Sequence, residues 1–136
     1  TEKEIEGALS LRYRVFYQEL EREFDSSKTI DEDKFDAQYH HLIVKENATG
    51  EIVGTYRLQT YEQAVSGEGF YSESLFNLED LPKEVLSKSF EVGRACIEEK
   101  HRSGRSFFTL EGICGLLTSI GQKISVRQPG NPCHFA

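Results

Sequence analysis

Apolar residues at Ile5, Ala8, Leu9, Val15, Phe16 and Leu20 recur at helical spacing between Glu4 and Phe24, with Glu, Arg and Gln between them. That pattern predicts an amphipathic helix near the start of the chain. The following stretch, Asp25 to Asp36, is polar and acidic and reads as a loop, with Phe35 inside it pointing to a segment packed back over the body. His41-Leu42-Ile43-Val44 and Ile52-Val53-Gly54-Thr55-Tyr56-Arg57-Leu58 flank the turn chemistry of Asn47-Ala48-Thr49-Gly50 and predict a β-hairpin. Residues 61–81 mix aromatics with glycines, serines and acids without a period and read as an irregular connection. Pro82 is placed to open a short helix through Leu86. Phe90, Val92 and Ile97 mark another strand. A second, largely buried helix follows over 107–120, with Gly121 suited to its C-cap and 123–128 as a last short strand. The elements alternate as in a mixed α/β (α+β) domain with a central, mainly antiparallel sheet flanked by helices.

Charges interrupt this pattern at informative places. Arg12 shares a helix face with Phe16, so a buried Phe16 turns Arg12 toward the interior edge, where it wants an acidic partner or a ligand. A surface pair with a glutamate satisfies the same spacing. Asp33 and Asp36 are candidates to line a site, and Arg57 sits between two apolar strand residues. Glu91 and Arg94 lie in an otherwise apolar strand, where opposite charges belong only if paired or facing a cleft. Residues three apart on a regular strand point to opposite faces, so for both to serve one cleft the strand must bulge, with Gly93 the expected place. Lys100, His101, Arg102 and Arg105 then crowd around Gly104, a turn suited to holding phosphate or equally a solvated basic turn.

The chain has 136 residues, read as one domain, with 16 Lys and Arg against 23 Asp and Glu and a net charge of −7. That balance argues against a general nucleic-acid binder. Cys96, Cys114 and Cys133 are odd in number and lack metal-ligand spacing, which points to a reduced, cytoplasmic protein with no metal site. No apolar run approaches the roughly 18 residues of a membrane span, and no charged-then-apolar leader opens the chain. Its first residue is Thr1 rather than Met, as in a processed or trimmed product.

Leu11-Arg12-Tyr13-Arg14-Val15-Phe16, Asp33-Lys34-Phe35-Asp36, His41 to Val44, Val53 to Leu58, Phe70-Tyr71-Ser72-Glu73 and Glu91-Val92-Gly93-Arg94-Ala95 together resemble, in order and spacing, a GNAT-fold N-acyltransferase. More closely, the chain is similar to the ornithine–acyl carrier protein N-acyltransferase and hemolysin-like group, related to the acyl-homoserine-lactone autoinducer synthases. The resemblance implies no tightly bound cofactor. It implies an acyl donor on phosphopantetheine, carried by acyl carrier protein or coenzyme A, lying in a gap between central strands. It places Glu91 and Arg94 at the cleft strand and Arg12, Phe16, Asp33, Asp36 and Arg57 on the acceptor side. His101, Gly104 and Ser106 occupy the frame of the family's pyrophosphate loop in degenerate form. Family members also continue with further strands, so C-terminal strands are expected to be missing.

On this reading a neutral amine, such as that of an amino acid, attacks the thioester carbonyl and expels a thiolate. Glu91 is the candidate base, directly or through water, with Glu73 the second candidate and Arg94 beside them. Backbone N–H groups from Val92, Ala95, Cys96 and Ile97 would polarise the thioester oxygen, while Lys100, Arg102 and Arg105 would hold phosphate or the acidic carrier. An autoinducer synthase and a non-catalytic GNAT-like binding module are the alternatives. A sheet lacking its last strands would leave an open edge, and self-association is expected from it.

Overall fold

The computed structural model describes residues 1–19, 27–102 and 123–126, the last four by their backbone. Helix α1 spans Glu2–Tyr13 and starts at a capping box, in which the Thr1 side chain accepts from the Glu4 N–H and the Glu4 carboxylate returns to the Thr1 amine. It continues as π-helical turns over Arg14–Glu19, so the amphipathic pattern holds while the late turns widen. Strand β1 (His40–Lys45) and strand β2 (Ile52–Thr60) form the expected antiparallel hairpin.

The connection after β2 is more regular than its composition suggests. Helix α2 (Tyr61–Ser66) is capped by Thr60 and Gln63, and 3-10 turns occupy Tyr71–Ser74 and Leu78–Asp80. Local caps organised a stretch with no apolar period. Pro82 immediately precedes helix α3 (Lys83–Ser87), as expected. Strand β3 (Ser89–Ile97) pairs antiparallel with β2, and β4 (Lys123–Val126) pairs parallel with β3, giving the order β1-β2-β3-β4. The sheet is therefore mixed and mainly antiparallel, as predicted. The second helix expected over 107–120 lies outside the described residues, as do Gly104, Arg105, Ser106, Cys114 and Cys133.

The feature that positions everything else is a bulge in β3. Arg57 pairs with Gly93 and Thr55 with Cys96, so Tyr56 alone stands across from Arg94 and Ala95. The irregular residue is Arg94, at φ 53, rather than the neighbouring Gly93 expected from sequence. Side-chain parity reverses there: Phe90 and Val92 before the bulge share one cluster with Ile97 and Ala95 after it, together with Tyr56, Leu42, Val44 and Leu58. Cys96 goes to the other face and packs with Leu11, Val15, Phe16 and Ile52 beneath α1. Val92, Ala95 and Ile97 are thus core-facing side chains, and Cys96 is a buried free thiol that burial pushes up to about 12.

Two glycines separate backbone strain from packing, because neither has an atom within 4 Å of an added Cβ. Gly50 sits at φ 73 in the hairpin turn, whereas Gly93 does not have a positive φ. In urea unfolding, Gly50→Ala is expected to lower stability by about 1 kcal/mol and Gly93→Ala to leave it unchanged or raise it by about 0.5 kcal/mol.

Candidate functional site

Residues on the α1 face of the sheet gather the polar side chains into one cleft. Arg12, 0% exposed, reaches from α1 to two aspartates of the following loop. Its Nε donates to Asp31 Oδ2 at 2.8 Å, and its two terminal nitrogens donate to Asp36 at 2.6 and 3.1 Å. Arg57 comes from β2 and donates from one nitrogen to Asp33 Oδ1 and Asp36 Oδ1, both at 2.7 Å. Its guanidinium lies 4.5 Å from the Tyr39 ring centroid and 5.6 Å from that of Tyr71. The surface pair with a glutamate that sequence alone allowed for Arg12 is replaced by a buried network.

The loop is shaped to present these acids. The Asp31 N–H donates to Leu9 O, tying the loop to α1, and Tyr17 on the π-helical turns donates to Asp31 Oδ1. Asp36 Oδ2 accepts from the Asp33 N–H, and Asp33 Oδ1 accepts from the Phe35 N–H. Phe35 packs edge-on to Tyr71, so this loop does fold back over the body. Burial raises the Asp36 carboxyl, but hydrogen bonds and charge from Arg12, the Asp33 N–H and Arg57 outweigh it and hold it at about 2. Burial opposes ionisation of Asp33 likewise, and Arg57 brings it below the usual carboxylate range. The same carboxylates raise Arg12 and Arg57 against their own desolvation.

Glu91 and Arg94 reach this face together because of the bulge, yet they are not paired with each other. The Glu91 carboxylate accepts from five donors: the hydroxyls of Tyr39 and Ser72, Gln59 Nε2 at 2.9 Å, and the N–H groups of Tyr71 and Ser72 at 2.9 and 2.7 Å. It therefore caps the Tyr71–Ser74 turn from a neighbouring strand. Burial and the adjacent Glu91 carboxylate together raise Tyr39 well above an ordinary phenol. Glu73 is exposed, and its carboxylate accepts from the Phe70 N–H of its own turn at 3.3 Å.

Arg94 is held loosely. Its Nε is 3.8 Å from Asp31 Oδ2 and its terminal nitrogen 3.5 Å from Asp33 Oδ2, while the Phe16 and Tyr71 ring centroids lie 5.8 and 5.9 Å from the guanidinium carbon. The seven residues Arg12, Phe16, Asp33, Asp36, Arg57, Glu91 and Arg94 are thus brought into one neighbourhood. Asp31, Tyr39, Gln59, Tyr71 and Ser72 complete it; Tyr71 and Ser72 belong to a motif of the resemblance, but none of the five was among the site residues expected from sequence. Gln59 was recoverable, since it lies two residues after Arg57 and shares its strand face. Asp31 offered no signal beyond a charge run.

The basic cluster after β3 is engaged with acids where it is described. Lys100 lies 3.4 Å from Glu98 and 3.7 Å from Glu51, and His101 bridges Glu46 and Glu98 at 3.1 Å each. Arg102 donates to Ile97 O and pairs with Glu19. Among the described residues β4 pairs with β3 as far as Val126, opposite Val92. No group of three or more His, Cys, Asp or Glu suited to a metal occurs among the described residues, and no described helix is long and apolar enough to cross a membrane.

Residues 11–111 match a family model described as an acetyltransferase (GNAT) domain. The sequence is 36% identical over 114 residues to an L-ornithine N(alpha)-acyltransferase of Agrobacterium fabrum, covering 77% of this chain and 39% of that protein. It is 26% identical over 142 residues to an acyl-homoserine-lactone synthase of Vibrio anguillarum, covering 92% of this chain and 72% of that one. In fold it is similar to a CoA-dependent acyl-homoserine lactone synthase solved with SAM and isopentyl-CoA, with a TM-score of 0.68, 20% identity, and coverage of 92% and 59%. The chain spans well under half the length of the Agrobacterium relative.

Breaking the buried network from one side leaves an uncompensated charge, so Asp36→Asn is expected to cost about 3–5 kcal/mol. Lys34→Ala, which removes an exposed pair with Glu68, is expected to stay within about 0.5 kcal/mol, both read by urea unfolding. Because the folded Asp36 sits below its unfolded value, its contribution is complete above about pH 4 and is lost as pH falls toward about 2. Wild type should therefore lose stability over that window more steeply than Asp36→Asn. Glu91→Gln replaces one acceptor oxygen by an NH2 donor facing other donors and is expected to cost about 2 kcal/mol, against about 1 kcal/mol for Tyr39→Phe.

Proposed function

The chain belongs to the acetyltransferase (GNAT) domain family, and from that premise we propose that it is the catalytic core of an N-acyltransferase acting on an amino acid of the ornithine type. The acyl group comes from a phosphopantetheine thioester on acyl carrier protein or coenzyme A. The observation that carries this is the β3 bulge, which puts the arginines and aspartates of the cleft beside Gly93 to Ile97 of β3. Acceptor and donor then meet across one strand.

In this proposal the acceptor nitrogen bonds to the thioester carbon, its proton leaves to water in the cleft, and the C–S bond breaks to release the thiol form of the carrier arm. N–H groups of β3 from Gly93 to Ile97 polarise the thioester oxygen. Glu91 fixes the Tyr71–Ser72 turn and so the aromatic wall of the acceptor side. Lys100 and His101 meet phosphate only by exchanging it for Glu51, Glu98 and Glu46, which leaves backbone amides as the primary donor contacts. Such thioesters are carried in the cytoplasm, the compartment this reading assigns, and self-association through a sheet edge remains part of it. A second reading, an acyl-homoserine-lactone synthase, draws on the Vibrio match, which extends over 72% of that relative.

Incubation of the protein with acyl carrier protein and coenzyme A thioesters, and with L-ornithine or S-adenosylmethionine, decides between these by mass spectrometry. N-acyl-ornithine is the expected product. An acyl-homoserine lactone would transfer the assignment to the second reading, and no acylated product with any pair would leave a GNAT-like binding domain. Under the proposal Glu91→Gln lowers kcat roughly tenfold or more while donor KM moves little, because the turn it holds lies on the acceptor side.

A further inference from the structure

His41, the second residue of β1, touches the centre of the charged cluster from the edge of the sheet. Its side chain is 5% exposed, and it stands directly opposite Arg57 of β2. Its Nε2 lies 3.0 Å from the Asp36 carbonyl oxygen and 4.0 Å from Asp36 Oδ1. A carbonyl only accepts, so the ring carries a proton on Nε2 and donates it there. Nδ1 is buried and meets no hydrogen-bond partner among the described residues, and the same holds for Arg57 Nε on the strand opposite. The imidazole is therefore committed to one backbone acceptor.

The backbone hydrogen bonds of the aspartate loop show why that acceptor matters. The Asp36 N–H donates to Asp33 O at 3.1 Å, and the N–H groups of Gln38 and Tyr39 both go to Phe35 O, at 3.0 and 3.3 Å. These bonds close the turn without using the Asp36 carbonyl, although Asp36 is only 6% exposed. A buried carbonyl needs a donor, and His41 supplies it by reaching back along the chain. The contact lies between two networks. On one side the Asp36 carboxylate holds Arg12 and Arg57; on the other, Gln38 donates to Gln59 and the Tyr39 hydroxyl to Glu91. The direction in which the chain leaves Asp36 decides whether both networks are met together.

We propose that His41 is a positioning residue: by donating its Nε2 proton to the Asp36 carbonyl it sets the aspartate loop, and through that loop the orientation of Asp36 and Arg57. It acts through the backbone and touches no substrate. Side-chain shape separates this role from mere filling of space. A glutamine places its amide nitrogen as many bonds from Cβ as the imidazole Nε2, an asparagine falls one bond short of it, and a phenylalanine keeps the ring without any donor. Only the glutamine can replace the contact with the Asp36 carbonyl.

The kinetic part of this inference rests on the N-acyltransferase reading above, and NMR without any substrate tests the rest separately. In the wild-type protein, proton–nitrogen spectra of the imidazoles are expected to show the His41 proton on Nε2 and protected from exchange with water. His41→Phe and His41→Asn should raise the titration of the Asp36 carboxyl, followed by carbon NMR, above its value of about 2, and His41→Gln should return it. In turnover the first two variants should raise the KM for L-ornithine about tenfold while the donor KM moves less than about twofold, with the glutamine variant again close to wild type. A phenylalanine variant with wild-type Asp36 titration and KM would reduce His41 to packing, and an asparagine variant as good as the glutamine would move its role to Nδ1; either overturns the proposal. Should the variants fail to fold, a wild-type His41 proton found on Nδ1, or exchanging freely with water, overturns it alone. An Asp36 titration that follows the donor in a protein with no turnover would keep the positioning role and remove the transferase, whereas turnover and Asp36 titration indifferent to all three variants would do the reverse.

Discussion

The Asp36 carboxylate is the junction on which the rest of the structure depends. It receives a guanidinium from α1 through Arg12 and another from β2 through Arg57, and also caps its own loop through the Asp33 N–H. Three segments distant in sequence are fixed against one side chain. Such a junction adds little net stability over well-packed apolar residues, because burying the charges costs nearly what their attraction returns. Its contribution is geometric: each member has one arrangement in which its charge is met.

Placed on that frame, the bulge at Arg94 changes what β3 presents. A regular strand would have sent Arg94 toward the apolar face that holds Val92, and Cys96 with it. The extra residue instead keeps Phe90, Val92, Ala95 and Ile97 on one packed face and delivers Glu91, Arg94 and Cys96 to the other. One strained residue thus serves packing and site together. The same irregularity lies just beyond Val92, the last β3 residue paired with a described residue of β4.

Two carboxylates of the cleft, Glu91 on β3 and Asp33 in the loop before β1, are used differently despite the same chemistry. Glu91 is saturated by Tyr39, Gln59, Tyr71 and Ser72 and organises a wall, while one oxygen of Asp33 is met by Arg94 at 3.5 Å. On the far side of the strand, Lys100 and His101 are met by glutamates of the hairpin turn and of their own loop. A run of basic residues in sequence therefore does not translate into a free positive surface.

The sequence by itself determined the helix of Glu2–Tyr13, the hairpin, the short helix after Pro82 and the cleft strand, because periodicity, turn residues and caps are local properties. It also determined which charges were anomalous: Arg12, Arg57, Glu91 and Arg94 stood out as charges among apolar neighbours, and a bulge had to exist for the last two to share a face. Only the tertiary structure decided their partners. Asp31 was indistinguishable from the other acids of its loop until the Leu9 carbonyl fixed it beside Arg12. Tyr39, Gln59 and Ser72 became part of the site only when register set Gln59 against Glu91 and the 71–74 turn closed over it. The strain fell on Arg94 rather than Gly93 for the same reason: strand pairing, not glycine's freedom, chose where the extra residue went.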